Sequence, residues 1–361
     1  MNPTHQRLCS WLRDPLPSGP PDQDVIALAE SEGVLLLLAD RCGIRALMPE
    51  LRAAAAIEEL KARELRAVLT RLAGEGIDPV LLKGAALART HYRRPELRPR
   101  SDTDFMIPED AREHAARVLA RLEYQRAAEI DGNLAVGQFH VSKTDRHGVS
   151  HALDVHWRVS NVRVFADALS YQELRRDAVS VADLGPHAWA PSPPHALLIA
   201  CIHRVAHHDD TRHLLWLFDV HLLARSLAFR QCQAFTALAT ATRMRAVCAS
   251  TLRLSQEAFG GLDREWISGL SMEDGVNEPS RAFVGGGWRR AEILLSDVTA
   301  TPGWTGRLRL LREHLLPRLS YMRARYPAWP AALLPAAYVH RVLCGLPRWL
   351  RRGAAGAPTN D

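Results

Sequence analysis

Apolar residues recur every three to four positions along most of this chain, and with period two only in its middle. Asp22 or Asp24 can cap a helix running to about Arg41, with Gly43 as its stop. Leu60, Leu65, Leu69 and Leu72 mark one face of a longer helix over Leu51 to Ala73, closed by Gly74 and Gly76. Residues 1–20 end in a Pro/Gly-rich run and are expected to lie over the surface.

The period changes after Gly76. Pro79-Val80-Leu81-Leu82 is a short apolar run that predicts a buried strand, Lys83-Gly84-Ala85 a tight turn, and Ala85 to Tyr92 a helix. A basic loop, Arg93 to Arg100, is broken by Pro95 and Pro99. Thr103 to Ile107 predicts a second strand, entered through Asp102 and stopped by Pro108. Asp110 to Leu122 reads as a capped amphipathic helix. Val136 to Ser142 and His151 to Val159 predict two strands flanking the turn Asp145-Arg146-His147-Gly148. On the second of these, Leu153, Val155 and Trp157 share one parity, and Ala152, Asp154, His156 and Arg158 the other.

Pro191 to Pro194 divides the chain, and helical spacing resumes from His195 to about Ser226. Residues 227–275 read as further helix broken at Gly260-Gly261, and Gly285-Gly286-Gly287 as a flexible joint. Thr305 to Leu319 is again helical, Tyr321 to Pro330 a proline-marked crossing, and Ala331 to Arg352 an apolar helix. The expected class is α+β: a small mixed sheet with flanking helices, a helical N-terminal segment and a mostly helical C-terminal domain. The expected units are residues 1–76, 77–190 and 191–352, with 353–361 as a frayed tail.

Composition adds limits. The 361 residues are 47% hydrophobic, which suits a globular chain with ample core. The net charge of +6 fits an anionic substrate, and arginine supplies nearly all of it, since Lys61, Lys83 and Lys143 are the only lysines. The six cysteines have no CxxC spacing, which argues against structural zinc and for a reducing, cytoplasmic setting. No apolar run is long enough to span a membrane. The basic end of the last helix, with Arg348, Trp349, Arg351 and Arg352, either rests on an acidic membrane or packs on its own domain.

The candidate chemistry lies between Lys83 and Asp104. Residues two apart on a strand point the same way, so Asp102 and Asp104 present neighbouring carboxylates. Such a pair calls for a cation between them, and hard oxygen ligands suit Mg²⁺, or Mn²⁺, arriving with substrate phosphates. Gly84 permits close approach of a phosphate, and the amides opening the next helix can donate to it. A glycine turn followed by paired aspartates is what nucleotide-dependent phosphoryl or nucleotidyl transfer requires. Farther on, His203 and His207 are spaced to share a metal, although histidines at helix ends are commonly structural. Arg204, Arg212 and Asp219 are candidates to face a cleft.

These residues resemble a family. Leu82-Lys83-Gly84-Ala85-Ala86, Arg100-Ser101-Asp102-Thr103-Asp104 and Asp154-Val155-His156-Trp157 are similar to the turn, the Asp-x-Asp strand and the Asp-x-His-Trp of bacterial uncharacterised nucleotidyltransferases. That branch belongs to the superfamily related to DNA polymerase beta. The resemblance implies an enzyme moving a nucleoside monophosphate from an NTP to an acceptor hydroxyl. It implies Asp102, Asp104 and Asp154 as metal-binding and catalytic carboxylates, and Lys83, Gly84, Ala85, Arg100 and Ser101 around the phosphates, with His156 near the cleft. Some members are encoded beside lasso-peptide biosynthesis genes, which brings a peptide, protein or small molecule forward as acceptor ahead of nucleic acid. Where the superfamily carries Gly-Ser or Gly-Gly, this chain has Gly84-Ala85 and lacks a phosphate-binding hydroxyl. A protein that binds a nucleotide or peptide with little or no turnover is the second implied reading.

Overall fold

The computed structural model describes residues 2–127, 132, 134–270 and 277–350. Its fold is α+β, built on a mixed seven-stranded sheet. The strands are β1 (Val80–Leu81), β2 (Asp102–Met106), β3 (Gln125–Arg126), β4 (Gln138–Thr144), β5 (Ser150–His156), β6 (Val179–Ser180) and β7 (Trp189–Ala190). Their order across the sheet is β3-β4-β5-β2-β1-β7-β6. β2 runs parallel to β5 and antiparallel to β1. β4 and β5 form an antiparallel hairpin around the Asp145–Gly148 turn. β6 and β7 have two residues each, too short to show any period in the sequence.

Alternation along the strands sends each parity to a different core. Leu81, Phe105, Leu153 and Val155 pack with Leu65, Leu69 and Leu72 of the Met48–Gly74 helix and with Val118 and Leu119. Val80, Leu82 and Met106 pack on the opposite side with Leu197, Leu198 and Ile202 of the Pro193–His208 helix. Each fully buried side chain of this size contributes about 1.5–3 kcal/mol of hydrophobic stabilisation. Asp102 and Asp104 share the parity of Met106, so the acidic face of β2 looks toward the C-terminal helices. A third core joins Leu8, Trp11, Val25 and Leu38 to Tyr92, Leu97, Leu217 and Phe218. Packing therefore crosses the sequence positions 76/77 and 190/191.

Several elements differ from expectation. The stretch expected to drape over the surface contains a helix, Pro3–Trp11, which buries Leu8, Cys9 and Trp11. The helix expected over residues 22–41 is two helices, Gln23–Ser31 and Leu35–Cys42. Gly33, at φ +68°, separates them, a backbone angle that would strain a residue with a Cβ. The glycine joint at 285–287 is anchored: Gly285 N donates to Asp210 at 2.7 Å, and Gly287 N to Asp209 at 2.8 Å. The last helix spans Leu334–Leu350. Among the described residues, no helix is long and apolar enough to cross a membrane. Residues 271–275, Arg351, Arg352 and the tail 353–361 lie outside the described residues.

Candidate active site

The site forms where β2, β5 and the Lys83–Thr90 helix meet. Parallel pairing sets Asp104 directly beside Asp154 and Met106 beside His156. One ligand atom from each of Asp104, Asp154 and His156 lies within 4.8 Å of the others, the arrangement a metal ion needs. Asp104 is 8% and His156 1% exposed, while Asp154 is half-buried. His156 Nε2 lies 2.9 Å from Asp104 Oδ1. Its Nδ1 is buried without a partner, a polar atom that would gain from a ligand or a water.

Lys83 supplies the positive charge. It opens its helix at φ +48°, a left-handed angle uncommon for a residue other than glycine. From there Nζ reaches Asp104 Oδ1 at 2.9 Å. Burial by itself would raise the Asp104 carboxyl, but Lys83 and the His156 hydrogen bond hold it well below the usual carboxylate range. Asp102 goes the other way. Burial pushes its carboxyl up, and the charges of Asp104 and Asp154 add to the push. A carboxylate set already neutralised by an ammonium, with one imidazole, has donors that suit Mg²⁺ and, through the nitrogen, Mn²⁺. On the far side of Asp154, His140 Nε2 lies 3.1 Å from Oδ2. Counting outward from the 145–148 turn along the β4–β5 hairpin pairs His140 with Asp154, a signal already present in the sequence.

Other residues expected around the phosphates have different surroundings. A Cβ on Gly84 would lie 2.5 Å from Arg98 Nη1, so the glycine accommodates that guanidinium. Arg98 is fixed in turn by Asp219, Nη2 to Oδ2 at 2.7 Å, and Tyr92 Oη donates to Oδ1 of the same carboxylate at 2.7 Å. Ala85 is in the first turn of the Lys83–Thr90 helix, but its side chain is buried in the core between the sheet and the Met48–Gly74 helix. Arg100 is paired with Glu58, which also binds Arg89 at 2.9 Å, and its side chain is 3% exposed. Ser101 is exposed, and together with Asp102 it borders a small separate cavity near Lys61, Tyr124 and His151.

The C-terminal candidates divide. Arg204 is fully buried and ties the Arg245–Phe259 helix, through Thr251, to Asp210 and the carbonyls of Asp210 and Thr211, so it faces no cleft. Arg212 is exposed. Asp219 and His203 do line a cleft, together with Lys83 and Arg98. His203 and His207 stack at 5.4 Å, and His208 lies on Trp216 at 3.5 Å. Burial drives His203 and His207 well below the ordinary imidazole range, and Lys83 acts in the same direction. Among the described residues, the metal-competent group is Asp104–Asp154–His156, not the His203–His207 pair.

The family model described as uncharacterised nucleotidyltransferase matches residues 21–260, more than half of the chain. This chain belongs to the uncharacterised nucleotidyltransferase family. The match includes the whole sheet, the acidic cluster and the helices up to Arg245–Phe259. No curated protein is significantly similar to this nucleotidyltransferase family member.

Proposed function

We propose that the protein transfers a nucleoside monophosphate from an NTP to an acceptor hydroxyl, in a reaction dependent on Mg²⁺ or Mn²⁺. The observation that carries this reading is the cross-strand pair Asp104–Asp154 with His156 alongside, in a chain of the nucleotidyltransferase family. Asp104, Asp154 and His156 would hold the metal, and Asp102, one turn of the pleat away, would face the incoming triphosphate. A bound Mg²⁺ or Mn²⁺ would supply Lewis-acid polarisation of phosphate oxygens and make the acceptor hydroxyl easier to deprotonate. Asp154 would take the hydroxyl proton. Lys83, released from Asp104, would meet the triphosphate together with the first amides of the Lys83–Thr90 helix, which has no side-chain cap. A peptide acceptor, as in lasso-peptide biosynthesis, is the finer form of this proposal.

A second reading rests on Lys83. With Asp104 already neutralised by its ammonium, nucleotide binding without turnover also suits the residues. Two measurements separate the readings. Thermal melting with each NTP and Mg²⁺ or Mn²⁺ should show stabilisation by mass action. Incubation with labelled NTP and candidate acceptors, followed by intact-mass analysis, should show an added nucleoside monophosphate. Stabilisation without any addition would favour the binding protein, and neither effect would remove both readings.

A further inference from the structure

Beside the acidic cluster lies a cleft of about 620 Å³, including its open mouth. Two helices form its sides with matching stripes. Lys83, Ala86, Leu87 and Thr90 come from one, and Ala196, Ile199, Ala200 and His203 from the other, each set at helical spacing along a single face. Alanines at facing positions leave the space between the helices unfilled. Val179, Ala190 and Pro191 supply the rest of the wall from the β6–β7 edge of the sheet.

Most of the polar side chains in the wall are already committed within the protein. Thr90 bonds His91 and the Ala86 carbonyl, and His91 bonds Ser226. Arg98 and Asp219 hold each other, and His203 meets His208. A nucleobase edge, which needs hydrogen-bond partners when buried, would find these groups occupied. An apolar body would not need them. Lys83 belongs both to this wall and, through its 2.9 Å contact with Asp104, to the acidic cluster. One end of an occupant is thereby brought to the place where transfer is proposed.

We propose, on the basis of the transfer reading above, that this cleft is the acceptor site and takes an acceptor with an aromatic or aliphatic body and a hydroxyl at the Lys83 end. In the reaction the hydroxyl oxygen bonds to the α-phosphorus of the NTP. The bond from that phosphorus to the bridging oxygen breaks, and pyrophosphate leaves with the electron pair. The hydroxyl proton goes to a carboxylate of the cluster.

The test uses 3-phenyl-1-propanol as the probe and glycerol as a polar control, with binding to the full-length protein read by saturation-transfer NMR. The aryl alcohol should bind and glycerol should not. Ala200→Phe, which fills the cleft, should weaken binding by roughly tenfold or more. Val179→Asp places a charge on the rim at a position 40% exposed, where folding is not at risk, and should weaken it too. Adding NTP with Mg²⁺ should leave the alcohol bound. Absence of binding, equal binding to both variants, or displacement by NTP would each overturn the proposal, the last by giving the cleft to the nucleotide. If NTP produces no melting shift while the alcohol binds and both variants lose it, the transfer reading fails and the apolar cleft stands.

Discussion

Lys83 Nζ lies 2.9 Å from Asp104 Oδ1, and the two side chains are 9% and 11% exposed. A lysine thus stands at a carboxylate that is proposed above to hold a metal ion. A cation held at Oδ1 would have to displace that ammonium, and the displaced lysine would then be free to meet a triphosphate. Lys83→Met should therefore raise Mn²⁺ affinity in the absence of nucleotide by roughly tenfold, the order expected from removing one competing charge in a partly shielded site. The same variant should bind NTP more weakly than the parent. Titration of Mn²⁺ by electron paramagnetic resonance, with and without NTP, measures both. Unchanged Mn²⁺ affinity would make Lys83 a structural counter-ion only.

The contact between Gly84 and Arg98 makes a second expectation. Gly84→Ala should cost about 1–3 kcal/mol of stability with no ligand present, because the guanidinium it meets is pinned by Asp219. Ala85→Ser, which the family pattern suggests as a harmless gain of a phosphate ligand, should instead destabilise by about 1–3 kcal/mol, since its hydroxyl would enter an apolar core. Urea unfolding of the two variants checks both. A Gly84→Ala protein as stable as the parent, but defective in nucleotide binding, would return the glycine to the phosphate.

Asp154 has two parts in the proposed transfer, as a metal ligand and as the base. It pairs with Asp104 across the strands but is more open to solvent and touches His140 rather than Lys83. Because Asp154 is proposed both to hold the metal and to take the hydroxyl proton, Asp154→Asn should weaken metal-dependent NTP binding and, at saturating NTP, lower transfer by a further two or more powers of ten, on the order of 3 kcal/mol of transition-state stabilisation. Calorimetric affinity and single-turnover transfer, parent against variant, give the two numbers. Equal turnover would remove Asp154 from the reaction.

Asp297 carries a pH dependence remote from the site. It is 6% exposed and accepts the Arg163 N–H at 2.8 Å, and burial pushes its carboxyl up to about 6. Folding then favours the protonated form, so the parent loses stability as pH rises from the unfolded carboxyl's value, near 4, through 6. Asp297→Asn keeps an oxygen for the Arg163 amide and removes the charge. The variant should match the parent below about pH 4 and exceed it by on the order of 3 kcal/mol above pH 7. Denaturant midpoints across that range test it, and a gain that does not vary with pH would rule out the ionisation as its cause.

Local pattern determined much of this protein. Period-two alternation in residues 102–107 and 151–159 put Asp104 and Asp154 on the polar parity of two strands, and Gly and Pro marked where those strands end. Leucine spacing marked the long helix that covers the other face of the sheet. What remained outside local pattern depends on contacts between distant segments. Parallel pairing of β2 with β5 chose Asp154 and His156, rather than Asp102, as the partners that close on Asp104. A left-handed backbone angle at Lys83, which no spacing rule signals, aimed its ammonium at the same carboxylate. Arg100, equally basic and equally near in sequence, was taken by Glu58 on the long helix, and Arg98 by Asp219 from the C-terminal half. A buried charge goes to whichever opposite charge the packing brings within reach, and sequence distance does not encode that choice.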